Sequence, residues 1–330
     1  MQDLVLGIES SCDDTAAALV DANGVVVASV KVTQTEIHRP YGGVYPELAS
    51  RAHVAEIVPA LHQTLLDAGV GPERIRAIGV TRGPGLIGPL LVGLNTAAGL
   101  GMGWSLPVIG INHLRGHLRS ADLEAPRVKY PATVLLVSGG HTILAYMEHP
   151  SAIRLLGTTR DDSVGEAYDK VGRMLGLGYP GGPPVDRLAK TGQASIPFPR
   201  PMLHSGLDFS LSGLKSAVSR YLEDAVDASY ADVAASFVQA ILELLVVKCR
   251  RALAENPSAS LVIVGGVAAS PQIRSAAADL CQELGVELCL PPLRWATDNA
   301  AMIAFATRDY IRADQHPRPV PDVRLSIVDY

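Results

Sequence analysis

One arrangement recurs along these 330 residues, and it constrains the fold more than any single motif does. Leu4 to Glu9 reads as a buried strand, Thr15 to Val20 as a second and Val25 to Val32 as a third. A polar turn, Ser10 to Asp14, and a tight turn, Asp21-Ala22-Asn23-Gly24, join them. A helix from Glu47 to Ala68 follows, set by Val54, Ile57, Val58, Leu61 and Leu65 at helical spacing. Then come a strand at Ala77 to Thr81, a Gly83-Pro84-Gly85 turn, an apolar helix and a strand at Pro107 to Ile111. Roughly 130 residues further on the order repeats without evident sequence identity. Strands are expected at Thr133 to Val137, Thr142 to Tyr146 and Ile153 to Thr158, then at Leu261 to Val264 and Val286 to Leu290. Helices are expected at Ala231 to Glu255, Ser270 to Leu284 and Asp298 to Arg312. An internal duplication of a mixed α/β unit explains this economically. It predicts a lobe over 1–125, a second over 126–330, and a cleft between them. The second lobe carries an inserted helical and loop region at about 160–228. Inside it, Tyr179-Pro-Gly-Gly-Pro-Pro184 and Pro197-Phe-Pro-Arg-Pro201 are expected to be irregular. The proline-bearing tail from Gln315 to Tyr330 reads as a surface strap or a flexible end.

Hydrophobic residues at 48% suffice for two cores, and aromatics at 5% mean that Ala, Val, Leu and Ile must build them. A net charge of -5 gives no overall basic footprint, so nucleic-acid binding needs a local patch or a partner. Arg200, Lys215, Arg220, Lys248, Arg250 and Arg251 are the candidates, although a solvated helix face explains the last three as well. Cys12, Cys249, Cys281 and Cys289 contain no C-x-x-C pair and make no disulfide framework, which points to a reducing, cytoplasmic setting. No signal peptide is expected at the N-terminus. The uncharged stretch from Gly83 to Asn112 is long enough to span a bilayer. Its prolines, however, leave a helix of about 16 residues, roughly 24 Å, which is too short. No membrane association is expected.

Several residue patterns could carry chemistry. His113 and His117 lie one helical turn apart on one face, so both imidazoles can reach a single metal ion. Thr297-Asp298-Asn299 precedes an apolar helix; Asp298 is either the cap of that helix or an oxygen ligand completing the metal set. Ser10 to Thr15 and Ser138 to Thr142 occupy matching turns of the two copies. Ser138-Gly139-Gly140 exposes successive backbone N–H groups suited to phosphate oxygens; a plain hairpin turn is the better reading of either turn alone, and the two together point to a nucleotide phosphate site. No Walker A sequence or strand–helix dinucleotide fingerprint is present. Gly265-Gly266-Val267 after a strand would admit a flat ring close to the backbone, or simply make a tight turn. Of Asp161, Asp162, Glu166 and Asp169, the first three suit a helix start. Asp169, deeper in the helix, could take a ribose hydroxyl.

Taken together these stretches resemble the TsaD/Kae (YgjD) family of tRNA N6-adenosine threonylcarbamoyltransferases. The matching segments are Gly7-Ile-Glu-Ser-Ser-Cys-Asp-Asp-Thr15, Tyr41-Gly-Gly-Val-Tyr-Pro-Glu-Leu-Ala-Ser-Arg51, Gly83-Pro-Gly-Leu86 and His113-x-x-x-His117. They continue with Leu136-Val-Ser-Gly-Gly-His-Thr142, Gly165-Glu-Ala-Tyr-Asp-Lys170, Tyr179-Pro-Gly-Gly-Pro183, Phe209-Ser-Leu-Ser-Gly-Leu-Lys215 and Thr297-Asp-Asn299. The resemblance implies an actin-like ATPase (ASKHA) fold of two duplicated RNase H-like lobes. It implies His113, His117 and Asp298 as ligands of one divalent metal, iron first, with zinc, manganese or magnesium as alternatives. Leu136, Val137, Ser138, Gly139, Gly140, Asp169 and Gly182 match its contacts to threonylcarbamoyl-AMP or ATP, with Asp186 a further ribose contact. Ser270 stands where the family commonly has Asn, and its shorter hydroxyl reaches less far. Asp13 and Asp14 match an acidic pair assigned here to catalysis.

The implied reaction moves a threonylcarbamoyl group from threonylcarbamoyl-AMP to N6 of the adenosine 3' of the anticodon in tRNAs reading ANN codons, releasing AMP. Implied partners are tRNA, a TsaB-like paralogous subunit, a TsaE-like ATPase and a separate synthase supplying the donor. The alternatives are a sugar kinase or ATPase, an O-carbamoyltransferase of the same superfamily, or a non-catalytic scaffold partner. A zinc metalloprotease is disfavoured, because Leu114 follows the first histidine where the protease motif needs its glutamate base.

Overall fold

The first strand shows how the chain folds: all six residues of β1 (Leu4–Glu9) are buried, so the strand is covered on both faces. The computed structural model describes residues 3–124, 128–225 and 227–329. They divide into two units, 1–127 with 291–330, and 128–290. In the first unit β2 (Asp14–Val20) and β3 (Val26–Thr33) follow β1 as an antiparallel meander. Next come α1 (Thr35–His38), α2 (Pro46–Ala68), β4 (Ile75–Gly83), α3 (Ile87–Trp104), β5 (Val108–Asn112) and α4 (His113–Ser120). β4 and β5 add in parallel to give the order β3-β2-β1-β4-β5.

The second unit starts with the meander β6 (Ala132–Val137), β7 (Thr142–His149) and β8 (Ala152–Thr158). It continues with α5 (Val164–Met174), α6 (Gly182–Ala189), α7 (Ser212–Asp224), α8 (Tyr230–Glu255), β9 (Ser260–Val264), α9 (Pro271–Leu284) and β10 (Glu287–Cys289). β9 and β10 are again parallel additions, and the order β8-β7-β6-β9-β10 reproduces that of the first sheet. The turn between the first two strands therefore sits at the same topological place in both units, after Glu9 in one and after Val137 in the other. α8 is long and apolar enough to cross a membrane, the one such helix among the described residues. Phe237, Ile241 and Leu244 along it sit in the centre of this unit's core, which explains the composition without a bilayer.

The last part of the chain departs from the expected boundary of the second lobe at 330. α10 (Leu293–Ala296) and α11 (Ala300–Arg312) belong to the first unit. Strand alternation sends Leu4, Leu6 and Ile8 towards α2 and α3, where they meet Ile57, Leu61, Leu90 and Leu94. Val5, Gly7 and Glu9 point the other way, and α11 covers that face through Ala300, Ala301, Ala304 and Ala306. Gly7 and Gly79 make the fit possible, since a Cβ at either would run into the α11 backbone or Thr307. The helix also starts two residues later than expected. In the 179–184 run, Pro183 and Pro184 are not irregular; they fill the first turn of α6, where a missing N–H costs nothing.

Candidate active site

Five residues expected to act together do lie in the first unit. Asn112 ends β5 and caps α4, its Oδ1 accepting from the Leu114 and Arg115 N–H groups at 3.0 and 3.4 Å. That cap fixes His113 and His117 on the first turns of a fully buried helix. Gly116 lets the helix approach α11, for a Cβ there would lie 2.9 Å from Ile303 Cδ1. Asp298 stands just before α11. Its alternative role as cap falls to its neighbour: Asn299 Oδ1 accepts from Met302 N at 2.9 Å. Asp298 is thereby left to the histidines, with Oδ1 3.0 Å from His117 Nε2 and 3.6 Å from His113 Nε2. One ligand atom from each of the three residues falls within 4.8 Å of the others. Two imidazole nitrogens and a carboxylate oxygen converging in a buried place suit a single divalent ion.

The electrostatics agree with that donor set. Burial works against charge on His113, but the Glu9 and Asp298 carboxylates outweigh it and raise its pKa to about 9. Burial likewise opposes ionisation of Asp298, and the two histidines overcome it, holding the carboxyl well below the usual range. Sequence reasoning missed Glu9. Its Oε2 lies 2.9 Å from His113 Nδ1, and it accepts from Ser11 N and Thr81 Oγ1, each at 2.6 Å. The signal was an acid ending a continuous apolar strand.

Asp13 ends the turn after β1 and Asp14 opens β2, and other groups brace this turn. His53 Nδ1 lies 2.7 Å from Thr15 Oγ1 and its Nε2 3.1 Å from the Cys12 carbonyl oxygen. Gly85 meets the turn from the other side, with Ser11 O accepting from Leu86 N at 2.8 Å. Burial, then the charges of Asp14 and Asp298, push the Asp13 carboxyl up to about 6. Lys31, also missed, donates to Asp14 Oδ2 at 3.0 Å and to Thr297 Oγ1 at 2.8 Å, tying the acid pair to the Asp298 segment. His53 was legible as a histidine on the buried stripe of α2, between Ala49 and Ile57.

In the second unit the expected nucleotide residues gather at the C-terminal ends of the parallel strands β6 and β9. Leu136 and Val137 have buried side chains, so only their backbone can meet a ligand. Ser138 closes the turn by accepting from His141 N at 3.1 Å, while Gly139 and Gly140 are exposed. Ser163, the cap of α5, donates to Gly139 O at 2.6 Å, and a Cβ on Gly165 would sit 2.6 Å from Ser138 O. Gly265, at φ +93°, packs against the Val137 backbone so closely that a Cβ there would collide with its carbonyl. Asp169 Oδ1 accepts from Gly181 N at 2.7 Å, placing Gly182 and the start of α6 beside α5. Asp186 faces inward and accepts from the Tyr168 hydroxyl at 3.1 Å. Ser270 caps α9, its Oγ accepting from Ile273 N at 3.4 Å, and lies beside both of those side chains.

The basic residues named for nucleic acid do not form a free patch. Lys248 is buried, and its ammonium donates to the carbonyls of Met202, Ser205 and Gly206 at 2.5, 2.8 and 2.9 Å. Arg200 is paired with Glu243, Lys215 with Asp162 and Arg250 with Glu283. Arg251 donates to Gly206 O. Arg220 donates only to Ser216 O of its own helix and has no ion-pair partner among the described residues.

Two sheets of one order, each with a polar turn after its first strand, make the duplicated fold of the actin-like class. The HypF protein of T. kodakarensis superposes with a TM-score of 0.68 at 12% identity, over 96% of this chain and 49% of that one. Component A of the (R)-2-hydroxyglutaryl-CoA dehydratase of Acidaminococcus fermentans does so at 0.54 and 17% identity, over 94% and 99% of the two chains. Identities this low speak for the fold alone. Sequence comparison narrows the class to one family: the profile of TsaD, tRNA N6-adenosine threonylcarbamoyltransferase, matches residues 25–305. A protein of that name from Geobacillus thermodenitrificans is 48% identical over 92% of this chain and 90% of its own length. Another from Moorella thermoacetica is 45% identical over 98% and 97%. The chain belongs to this family and is an enzyme of the transferase class. The kinase, O-carbamoyltransferase and scaffold alternatives gain no support from these relatives.

Proposed function

We propose that the protein transfers a threonylcarbamoyl group from threonylcarbamoyl-AMP to N6 of the adenosine 3' of the anticodon in tRNAs reading ANN codons, with release of AMP. The observation that carries this reading is the convergence of His113, His117 and Asp298 in a chain of this family. A divalent ion held by these three supplies Lewis acidity towards phosphate and carbonyl oxygens; iron is our first choice, with zinc, manganese or magnesium as alternatives. The backbone N–H groups of Gly139 and Gly140, with nothing packed where their side chains would be, suit phosphate oxygens. Asp169 and Asp186 serve the ribose side, with Ser270 placed by Asp186 and Tyr168.

The N6 amine is a weak nucleophile, so its proton needs an acceptor as the new C–N bond forms and the carbonyl–phosphate bond breaks. Asp13 is that acceptor; its raised pKa suits proton transfer near neutral pH better than an ordinary carboxylate. Asp14, neutralised by Lys31, holds the turn in place.

Besides tRNA, we propose a TsaB-like paralogous subunit, a TsaE-like ATPase and a separate synthase as partners, in the cytoplasm. One surface supports a protein partner. α2 and α3 meet closely at Ser50 and Gly88. Each also shows an exposed apolar pair, Val54 with Val58 and Ile87 with Leu91. The four free cysteines accord with a reducing compartment. The deciding experiment incubates the protein and these partners with unmodified tRNA, threonine, bicarbonate and ATP, then digests the tRNA and analyses its nucleosides. Threonylcarbamoyladenosine formed with the wild type and not with H113A is expected. Phosphorylated sugar or cleaved peptide in its place would sink the assignment.

A further inference from the structure

We infer that Glu9 is a positioning residue for the metal: it holds the His113 ring in the tautomer that presents Nε2 as the ligand, and so sets the affinity of the site. The inference rests on His113, His117 and Asp298 being the ligands. Glu9 is fully buried at the end of β1, on the face that strand alternation turns towards α4 and α11. An ionised carboxylate survives there only with donors around it. It has three, from Ser11 N and Thr81 Oγ1 at 2.6 Å each and from His113 Nδ1 at 2.9 Å. A carboxylate only accepts, so the hydrogen between the two residues belongs to Nδ1 of His113, and the Ser11 hydroxyl, 3.1 Å from the same nitrogen, is an acceptor there. In a singly protonated ring the lone pair then lies on Nε2, the atom that faces Asp298.

The other histidine shows the contrast. His117 Nδ1 is buried without a hydrogen-bond partner among the described residues. Its ring is held by Asp298 at Nε2 and by packing edge-on to His113, with centroids 4.7 Å apart. Only His113 therefore has an anion at its Nδ1, the ring nitrogen turned away from Asp298, to orient the ring and make it more basic. Charge points the same way. A divalent cation, the Asp298 carboxylate and the Glu9 carboxylate sum to zero in a buried place, where an uncompensated charge is costly.

The test uses the full-length protein stripped of metal, with Co²⁺ as optical probe and a chelator as competitor. Glu9→Gln is expected to bind Co²⁺ about 10- to 100-fold more weakly than the wild type, with an altered visible absorption envelope and an unchanged far-UV spectrum. Nitrogen-15 spectra of the Zn²⁺-loaded wild type are expected to show the His113 ring protonated at Nδ1. Should Glu9→Gln not fold, Thr81→Val, which removes one anchor of the carboxylate and keeps its charge, is expected to weaken Co²⁺ several-fold. Wild-type affinity in a folded Glu9→Gln or Thr81→Val, or an Nε2-protonated His113 in the loaded protein, overturns the role of Glu9 and leaves the ligand set standing. A wild type that takes up no Co²⁺ overturns both.

Discussion

Asn299 caps α11, and its neighbour Asp298 is thereby released to meet His117 at 3.0 Å. Two adjacent residues of the same cap-forming type thus do unrelated jobs, and substitution should separate them. Asn299→Ala removes the acceptor for Met302 N and the amide bonds to the Trp295 and Thr297 carbonyls, and is expected to lower unfolding free energy by about 1–3 kcal/mol with metal affinity changed far less than in Asp298→Asn. Asp298→Asn keeps the helix cap but loses the anionic ligand. Its metal affinity is expected to fall by more than the roughly 100-fold that loss of an outer partner brings. Denaturant melts and Co²⁺ competition on both variants check the division; equal effects on metal binding would show that the two residues act as one.

The charge on His113 gives the metal-free protein a defined pH dependence. Its pKa is raised from 6.5 to about 9 by Glu9 and Asp298, against the opposing effect of burial. A base with a raised folded-state pKa contributes stability fully below its unfolded value, and loses it as pH rises through the folded one. The metal-free fold is therefore expected to weaken between about pH 6.5 and 9. Metal needs the lone pair on Nε2, so below that pKa a proton must leave on binding, and affinity rises by up to about tenfold per pH unit. Thermal melts without metal and chelator competition from pH 6.5 to 8.5 should show opposite trends. Parallel trends would mean that His113 is already neutral.

Asp13 makes a prediction of a different kind, on rate and not on binding. Asp13→Asn is expected to cut threonylcarbamoyl transfer by about 10²- to 10⁴-fold, with metal and nucleotide affinities within a few-fold of normal. Burial and the neighbouring carboxylates raise this acid to about 6, so the proton acceptor is lost as pH falls through that value. Asp298 is among the causes, and a bound cation offsets its charge, which places the acidic limb of the loaded enzyme at or below pH 6. The wild-type profile should carry that limb and the residual activity of Asp13→Asn should not. Transfer that survives the substitution intact removes Asp13 from the chemistry.

What could be read from the chain, and what could not, follows from how each signal arises. β1 and β6 are covered on both faces, so they read as unbroken apolar runs and give away the duplicated sheets. The destination of α11 was hidden, because its alanines would fit either sheet. The discriminating residues, Gly7 and Gly79, look like any glycine in a strand until a helix backbone is laid on them. Pro183 and Pro184 read as breakers, yet proline is at home in a first helical turn, and only the chain direction after Gly182 tells the two cases apart. The histidine pair and Asp298 were visible as residue types at suggestive spacings. Glu9 was not, since a strand-end acid carries no mark of the histidine 104 positions away that accounts for it. For the same reason the basic side chains looked free: the carboxylates pairing with Arg200 and Lys215 lie 43 and 53 residues away in sequence.

The C-terminal segment, read from sequence as a strap or a loose end, is tied to the helix that carries the histidines. Gly110 N donates to Pro317 O and Asp322 N to Arg82 O, so the segment runs beside β5 and reaches the end of β4. Asn112, the cap of α4, donates through Nδ2 to Ser326 O at 2.7 Å, and buried Arg115 donates to Ile327 O and Val328 O at 3.0 and 3.1 Å. Leu325 and Ile327 are buried beneath. Removing everything after Gln315 exposes what those two side chains cover and should cost about 3 kcal/mol or more. It also frees the amide of Asn112 and takes the Ile327 and Val328 carbonyls from a buried guanidinium, so metal affinity should fall together with stability. Leu325→Ala separates the two effects: it opens a cavity, costing about 2–5 kcal/mol, but keeps every hydrogen bond from the strap to Asn112 and Arg115. The point variant should thus lose stability with metal affinity preserved, whereas the truncation loses both. A truncated chain that melts lower and still binds Co²⁺ like the wild type would show that the strap covers an edge and does nothing for the metal helix.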